Sequence, residues 1–168
     1  MAAIVSAFRR GRQPAGPPIR DSAGISYGCS VWSPLYCVND PSAQVLGRYV
    51  GTQQAGLVWK DCGTYQLVYS GAPLLPPDLL RDLGRLAGAH VYCQSNDALY
   101  ADGSFVGLHA RTPGLKRITL PRPADVYDLI SRQVVARQVS SFEVEMQGFD
   151  TALLYTGEAA KAEAFFGK

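Results

Sequence analysis

The chain lacks a long hydrophobic run and has little net charge. None of its apolar stretches approaches the ~20 residues that a membrane-spanning helix needs, so a membrane protein is not expected. The formal net charge is +2 over 168 residues, and the Lys and Arg residues are too scattered to form the basic stripe that binds a phosphate backbone. With 47% hydrophobic and 18% charged residues, the composition is that of a soluble globular protein. We therefore expect neither nucleic acid nor a membrane as a partner.

Metal and cofactor motifs are also missing. The four cysteines, Cys29, Cys37, Cys62 and Cys93, include no C-x-x-C pair and have no histidine at ligand spacing, so no metal site is predicted. No G-x-G-x-x-G, P-loop or G-x-S-x-G pattern occurs, so no cofactor is predicted. The last three cysteines have apolar or aromatic neighbours, which is typical of buried free thiols. We expect reduced cysteines and a cytoplasmic location, although the even count leaves a disulfide open.

What the sequence does contain is a series of short segments in which apolar and polar residues alternate. Such alternation, with Pro, Gly, Asp or Ser between the segments, is typical of half-buried strands. The clearest segments are 64–70, 107–110, 114–121, 125–128, 141–146 and 152–155. Asp102-Gly103 lies between two further apolar segments and predicts a hairpin.

One helix is predicted between Pro76 and Gly88, because proline precedes it, acids lie in its first turn and glycine follows it. Strands are predicted on both sides of it, at 64–70 and 89–93. A helix in that position normally connects two parallel strands. The predicted fold class is therefore α+β, with a mixed, mostly antiparallel sheet, one crossover helix and a C-terminal β module.

Four segments are predicted along the chain. Residues 1–24 are predicted to be a flexible N-terminal arm, because Arg, Pro and Gly dominate this part without periodicity. Residues 25–112 are predicted to form an α/β-like sheet region, and residues 113–157 a small β module. Residues 158–168 are predicted to be a C-terminal tail with helical potential.

Short framework strings are spread over residues 30–157. They are found at 45–49, 55–58, 69–76, 79–81, 87–92, 108–110, 120–121, 125–128 and 151–155. Together they resemble the C-terminal region of large bacterial beta-galactosidase-like glycoside hydrolases, in which a catalytic barrel is followed by an amidotransferase-like trimerisation module and a small β-sandwich. The catalytic carboxylates of such enzymes lie on the barrel, which this chain is too short to contain, so the resemblance carries over no catalytic residue.

The carboxylates of the chain itself offer four candidate catalytic residues. Glycoside hydrolysis uses two carboxyl groups about 5–5.5 Å or about 6.5–9.5 Å apart. Asp97 and Asp102 lie beside the predicted hairpin, where aspartate more often bonds its own backbone. Glu143 and Glu145 alternate on a predicted exposed strand face, and no glutamate precedes them.

Aromatic residues are the candidate saccharide contacts, because sugar rings present apolar C–H faces that stack on Trp and Tyr. Trp32, Tyr36 and Trp59 lie near predicted strand ends and are the residues selected, with packing as the alternative. The missing sheet neighbours that the resemblance implies also predict a homo-oligomer, whose interface would use Trp32, Leu35, Tyr36 and Trp59.

Three functions follow from these observations. The preferred one is a non-catalytic accessory or assembly module of a carbohydrate-active enzyme with weak saccharide binding, whose partners are a second copy, a saccharide or a glycoside hydrolase barrel. The alternative is a small stand-alone glycoside hydrolase acting on beta-linked sugars. The third is a pure oligomerisation protein.

Overall fold

The computed structural model describes residues 3–7, 26–29 and 34–166. The chain forms two compact units, Met1–Ala89 and His90–Lys168, each with its own sheet. The elements in chain order are β1 (Ala3–Ala7), β2 (Ser26–Cys29), β3 (Gln44–Tyr49), β4 (Ala55–Asp61), β5 (Gln66–Ser70), α1 (Pro77–Leu86), β6 (Ala98–Ala101), β7 (Phe105–His109), β8 (Gly114–Asp128), β9 (Gln133–Met146), β10 (Thr151–Tyr155) and α2 (Ala159–Phe166). The described part of the chain is therefore rich in strands and contains two helices.

The first unit is a five-stranded sheet in the order β2-β1-β3-β4-β5. Every pair of described strands in it is antiparallel. Its core contains Tyr49, Leu57 and Leu79, all at most 1% exposed. Leu79 belongs to α1, whose Pro77 occupies the first helical turn, where a missing N–H costs nothing. The helix therefore joins the sheet's core through Leu79.

The second unit is a five-stranded sheet in the order β6-β7-β10-β8-β9. Leu108, Ile118 and Leu154 are fully buried at its centre. The long strand β8 pairs with β9 on both sides of a register shift between Thr119 and Ala124. Pro121 and Pro123 lie in the interval of that shift. The pairing is interrupted there because proline has no N–H to donate to the ladder. The prolines therefore interrupt the pairing without ending the strand.

Helix α2 packs at one end of the second unit. Tyr127, Tyr155 and Ala162 form a small cluster there, with each residue at most 9% exposed. The chain turns from β10 to α2 through Gly157, where a Cβ atom would overlap the ring and hydroxyl of Tyr155. Glycine is therefore required for the Tyr155 ring to lie against this turn.

Helix α1 is present, but it does not connect two parallel strands of one sheet, as was predicted. Helix α1 follows β5 of one sheet and precedes β6 of the other. Residues 89–92 form no strand, and Cys93 makes only an isolated bridge to Ile118. The described strand pairs are all antiparallel, so the predicted mixed sheet is not found among them. A local apolar pattern could not reveal which strand would pair with 89–93.

The predicted segments also differ from the structure at two boundaries. Ala3–Ala7 forms β1, between β2 and β3, inside the predicted flexible arm. Residues 8–24 of that arm lie outside the described residues. The second unit begins at His90 rather than at residue 113, because β7 pairs along its whole length with β10. That pairing joins residues too distant in sequence for a local pattern to predict.

Candidate functional site

Asp97, in the loop before β6, is held in a buried ion pair. Its side chain is 2% exposed, and Oδ2 lies 2.9 Å from Nζ of Lys116, whose side chain is 6% exposed. The backbone N–H of Arg111 donates to Oδ1 at 2.7 Å. Burial by itself raises the pKa of Asp97, but hydrogen bonds from Ser95, Lys116 and Arg111 outweigh it and lower the pKa to about 2. At neutral pH this carboxylate is ionised and cannot act as a proton donor.

Asp102 begins the turn between β6 and β7. Its Oδ1 accepts the backbone N–H groups of Ser104 and Phe105, each at 2.8 Å, and these bonds lower the pKa of the carboxyl. Strands β6 and β7 form the predicted hairpin, which is confirmed. Asp97 and Asp102 flank opposite ends of β6, so their Cα atoms are roughly 16 Å apart at about 3.3 Å per residue. That backbone separation exceeds the spacing of the two carboxyl groups in a catalytic pair.

Glu143 and Glu145 lie on β9, and both are exposed. The predicted exposed face is therefore confirmed. Glu143 is opposite Arg117 and Glu145 is opposite Leu115 on β8. Strands β9 and β6 stand at opposite ends of the sheet order. Neither glutamate is therefore brought beside Asp102, and the four candidates form no single site.

The aromatic candidates have three different positions. Trp59 is partly buried and packs against the core of the first unit, and its Nε1 is buried without a partner among the described residues. Tyr36 is 64% exposed, while its backbone carbonyl accepts the Tyr49 hydroxyl at 2.8 Å. Trp32 lies outside the described residues. Of the two candidates that the structure describes, Tyr36 presents a largely free ring and Trp59 does not.

The cysteines differ in part from the prediction. Cys37 is exposed, Cys62 is half-buried and only Cys93 is buried, and all three are free thiols. Within residues 3–7, 26–29 and 34–166, no group of three or more His, Cys, Asp or Glu side chains could hold a metal ion. Neither described helix is both long and apolar enough to cross a membrane.

Two adjoining cavities lie beside α2 in the second unit, and we call them together the α2 groove. Their volumes are about 390 Å³ and about 370 Å³. They share Ser104, Tyr155 and Lys161. Each volume is within the range of about 300–1,000 Å³ that is usual for small-molecule sites. The α2 groove is therefore the candidate binding site of this unit.

The two cavities of the α2 groove differ in chemistry. The larger is lined by apolar side chains in addition to the shared residues: Phe105, Leu129, Ala162 and Phe165. The smaller is lined mainly by polar or charged groups: Arg122, Asp125, Gln138, Thr156 and Glu158. Sequence analysis missed this site, because its lining comes from the β6–β7 turn, the proline segment of β8, β9 and α2. The only local signal was the helical potential of residues 158–168.

No family model and no curated protein matches this chain. Among solved structures, the crystal structure of a beta-galactosidase from Bacillus circulans sp. alkalophilus is similar, with a TM-score of 0.53 and 13% identity. The match covers 93% of this chain and 25% of that chain. This chain therefore spans about a quarter of the length of the structure it matches. At this identity the similarity concerns the fold alone: the fold of this chain is similar to that of about a quarter of that beta-galactosidase chain.

Proposed function

We propose that this chain is a non-catalytic accessory module of a carbohydrate-active enzyme, equivalent to the C-terminal region of a beta-galactosidase-like glycoside hydrolase. The observation that carries the proposal is the placement of the four candidate carboxylates. Asp97 is ion-paired with Lys116, Asp102 accepts hydrogen bonds from its own turn, and the two glutamates lie on an exposed strand. The similarity to a quarter of a beta-galactosidase supports the carbohydrate context.

The proposal is tested by turnover of p-nitrophenyl β-D-galactopyranoside by the purified full chain. We expect no release of p-nitrophenol above the rate in buffer, because Asp97 and Asp102 are held by an ion pair and by turn hydrogen bonds, whereas Glu143 and Glu145 lie on an exposed strand face and line neither cavity of the α2 groove. The stand-alone glycosidase predicts the opposite result. A rate that falls by about 10²-fold or more in Glu143→Gln or Glu145→Gln, the size of a lost general acid or base, would overturn the non-catalytic role.

An assembly role is a second candidate, favoured by the exposed edge of the first sheet. Strand β5 stands at the end of the strand order, and Leu67 on it is 44% exposed. An unpaired edge of this kind pairs readily with a second strand. We therefore propose a homodimer in which two β5 strands pair antiparallel about a two-fold axis.

Sedimentation equilibrium tests the homodimer. We expect twice the chain mass for the full chain, and a monomer for Leu67→Lys, because charge on an edge strand opposes pairing. Ile130→Lys is the matched control, since Ile130 is 61% exposed on the second unit. A monomeric full chain would refute the assembly role. Trp59→Asp is a poorer test, because Trp59 packs against the core and its loss would destabilise the unit.

A further inference from the structure

We propose that the α2 groove binds a neutral saccharide, with the sugar ring over its apolar half and the hydroxyl groups against its polar half. The inference rests on the proposed accessory function and adds to it a site. This site lies in the second unit, whereas Tyr36 and Trp59, selected from the sequence, belong to the first.

The apolar half of the groove offers aromatic rings to a ligand. Phe105 is 41% exposed and Phe165 is 51% exposed, and both line the larger cavity. The ring of Phe105 lies 5.2 Å from that of Tyr155, which is itself only 9% exposed. The Phe105 ring thus contacts a buried ring on one side and is exposed to the cavity on the other. Exposed rings of this kind suit the C–H face of a pyranose.

The polar half is fixed by Asp125, whose side chain is 14% exposed. Its Oδ1 accepts the backbone N–H of Gln138 at 2.8 Å and the side-chain Nε2 at 3.0 Å. Gln138 has a φ of 50°, which a residue other than glycine adopts only when its surroundings hold it there. The two bonds to Asp125 supply that restraint. The amide of Gln138 is therefore held in one orientation at the wall of the smaller cavity.

Of the four charged side chains that line the groove, three form ion pairs within the described part of the chain. Lys161 is paired with Glu158 at 3.1 Å, and Asp125 is paired with Arg137 at 3.3 Å. Arg122 makes no ion pair with another residue in the described part of the chain. The wall thus offers one free guanidinium, together with amide and hydroxyl groups that both donate and accept. A sugar hydroxyl also does both, which matches this mixture of donors and acceptors.

The experiment is a titration of the ¹⁵N-labelled full chain with methyl β-D-galactopyranoside, followed by amide chemical shifts. We expect saturable shifts with a millimolar dissociation constant, strongest at Ser104, Phe105 and Gly157 around the groove. Glycerol, which has hydroxyls but no ring face, should not reproduce them. Arg122→Ala should weaken binding by about tenfold, as for the loss of a charged hydrogen bond. Arg111→Ala is the matched control and should leave binding unchanged, because Arg111 is exposed and lines neither cavity.

Three results would overturn this site. The first is an absence of shifts in the millimolar range, and the second is a set of shifts confined to residues 34–89. The third is a response of the groove to inorganic phosphate that exceeds its response to the sugar, which would make it an anion site. None of these results bears on catalysis, so the accessory role would survive each of them. Turnover of the aryl galactoside would instead overturn the accessory role, whether or not the groove binds sugar.

Discussion

We expect Asp97→Ala to lower the free energy of unfolding of the second unit by about 3–5 kcal/mol, because it leaves the ammonium of a buried lysine without its counter-charge. Among the described residues, Lys116 would keep the Thr112 hydroxyl, 3.3 Å away, as its remaining side-chain partner. Both tryptophans lie before residue 90, so their fluorescence does not report on this unit. Urea unfolding is therefore followed through assigned amide signals of residues 98–155.

Two further variants make the Asp97 result specific. Glu145→Ala removes an exposed carboxylate from a strand of the same sheet and should change the stability by no more than about 0.5 kcal/mol. The double variant Asp97→Leu with Lys116→Met removes both charges and should cost less than Asp97→Ala alone. A double variant as unstable as the single one would show that the pair itself is not the source of the effect.

The same ion pair gives a pH dependence of defined sign. The pKa of Asp97 is about 2 in the folded chain, below its ordinary value of 3.8. Ionised Asp97 therefore stabilises the folded state above the unfolded pKa, and this contribution is lost as the pH falls from about 5 to about 2. The difference in stability between the wild type and Asp97→Asn should shrink over that interval. A difference that stays constant would show that the charge of Asp97 does not stabilise the fold.

We expect Leu79→Ala to lower the free energy of unfolding of the first unit by about 2–5 kcal/mol, the usual cost of truncating a fully buried leucine. Leu79 is 1% exposed, whereas Leu80, the next residue of α1, is 52% exposed. Leu80→Ala is therefore the matched control, with an expected change of no more than about 0.5 kcal/mol. Tryptophan fluorescence during urea unfolding is the measurement, because Trp59 packs against the same cluster as Leu79. Equal effects of the two substitutions would contradict this packing of α1.

Local sequence patterns predicted many elements of this fold. The alternating segments predicted strands at the positions of β5, β7 and β10, and the proline and glycine signals predicted α1. Asp102-Gly103 predicted the hairpin and the bonding of Asp102 to its own turn. These features rest on neighbours a few residues apart, where side-chain direction and turn chemistry act directly.

Only the tertiary structure decided which strands pair and which residues meet. Strand β10 lies between β7 and β8, and this order placed the unit boundary at residue 90. The sequence predicted Asp97 to be a turn residue, but in the structure it forms a buried ion pair with Lys116. The α2 groove brings residues 104–105, 122–125 and 155–165 together. Such contacts between residues distant in sequence depend on the free energy gained when distant apolar faces are buried. No short window of sequence contains that information.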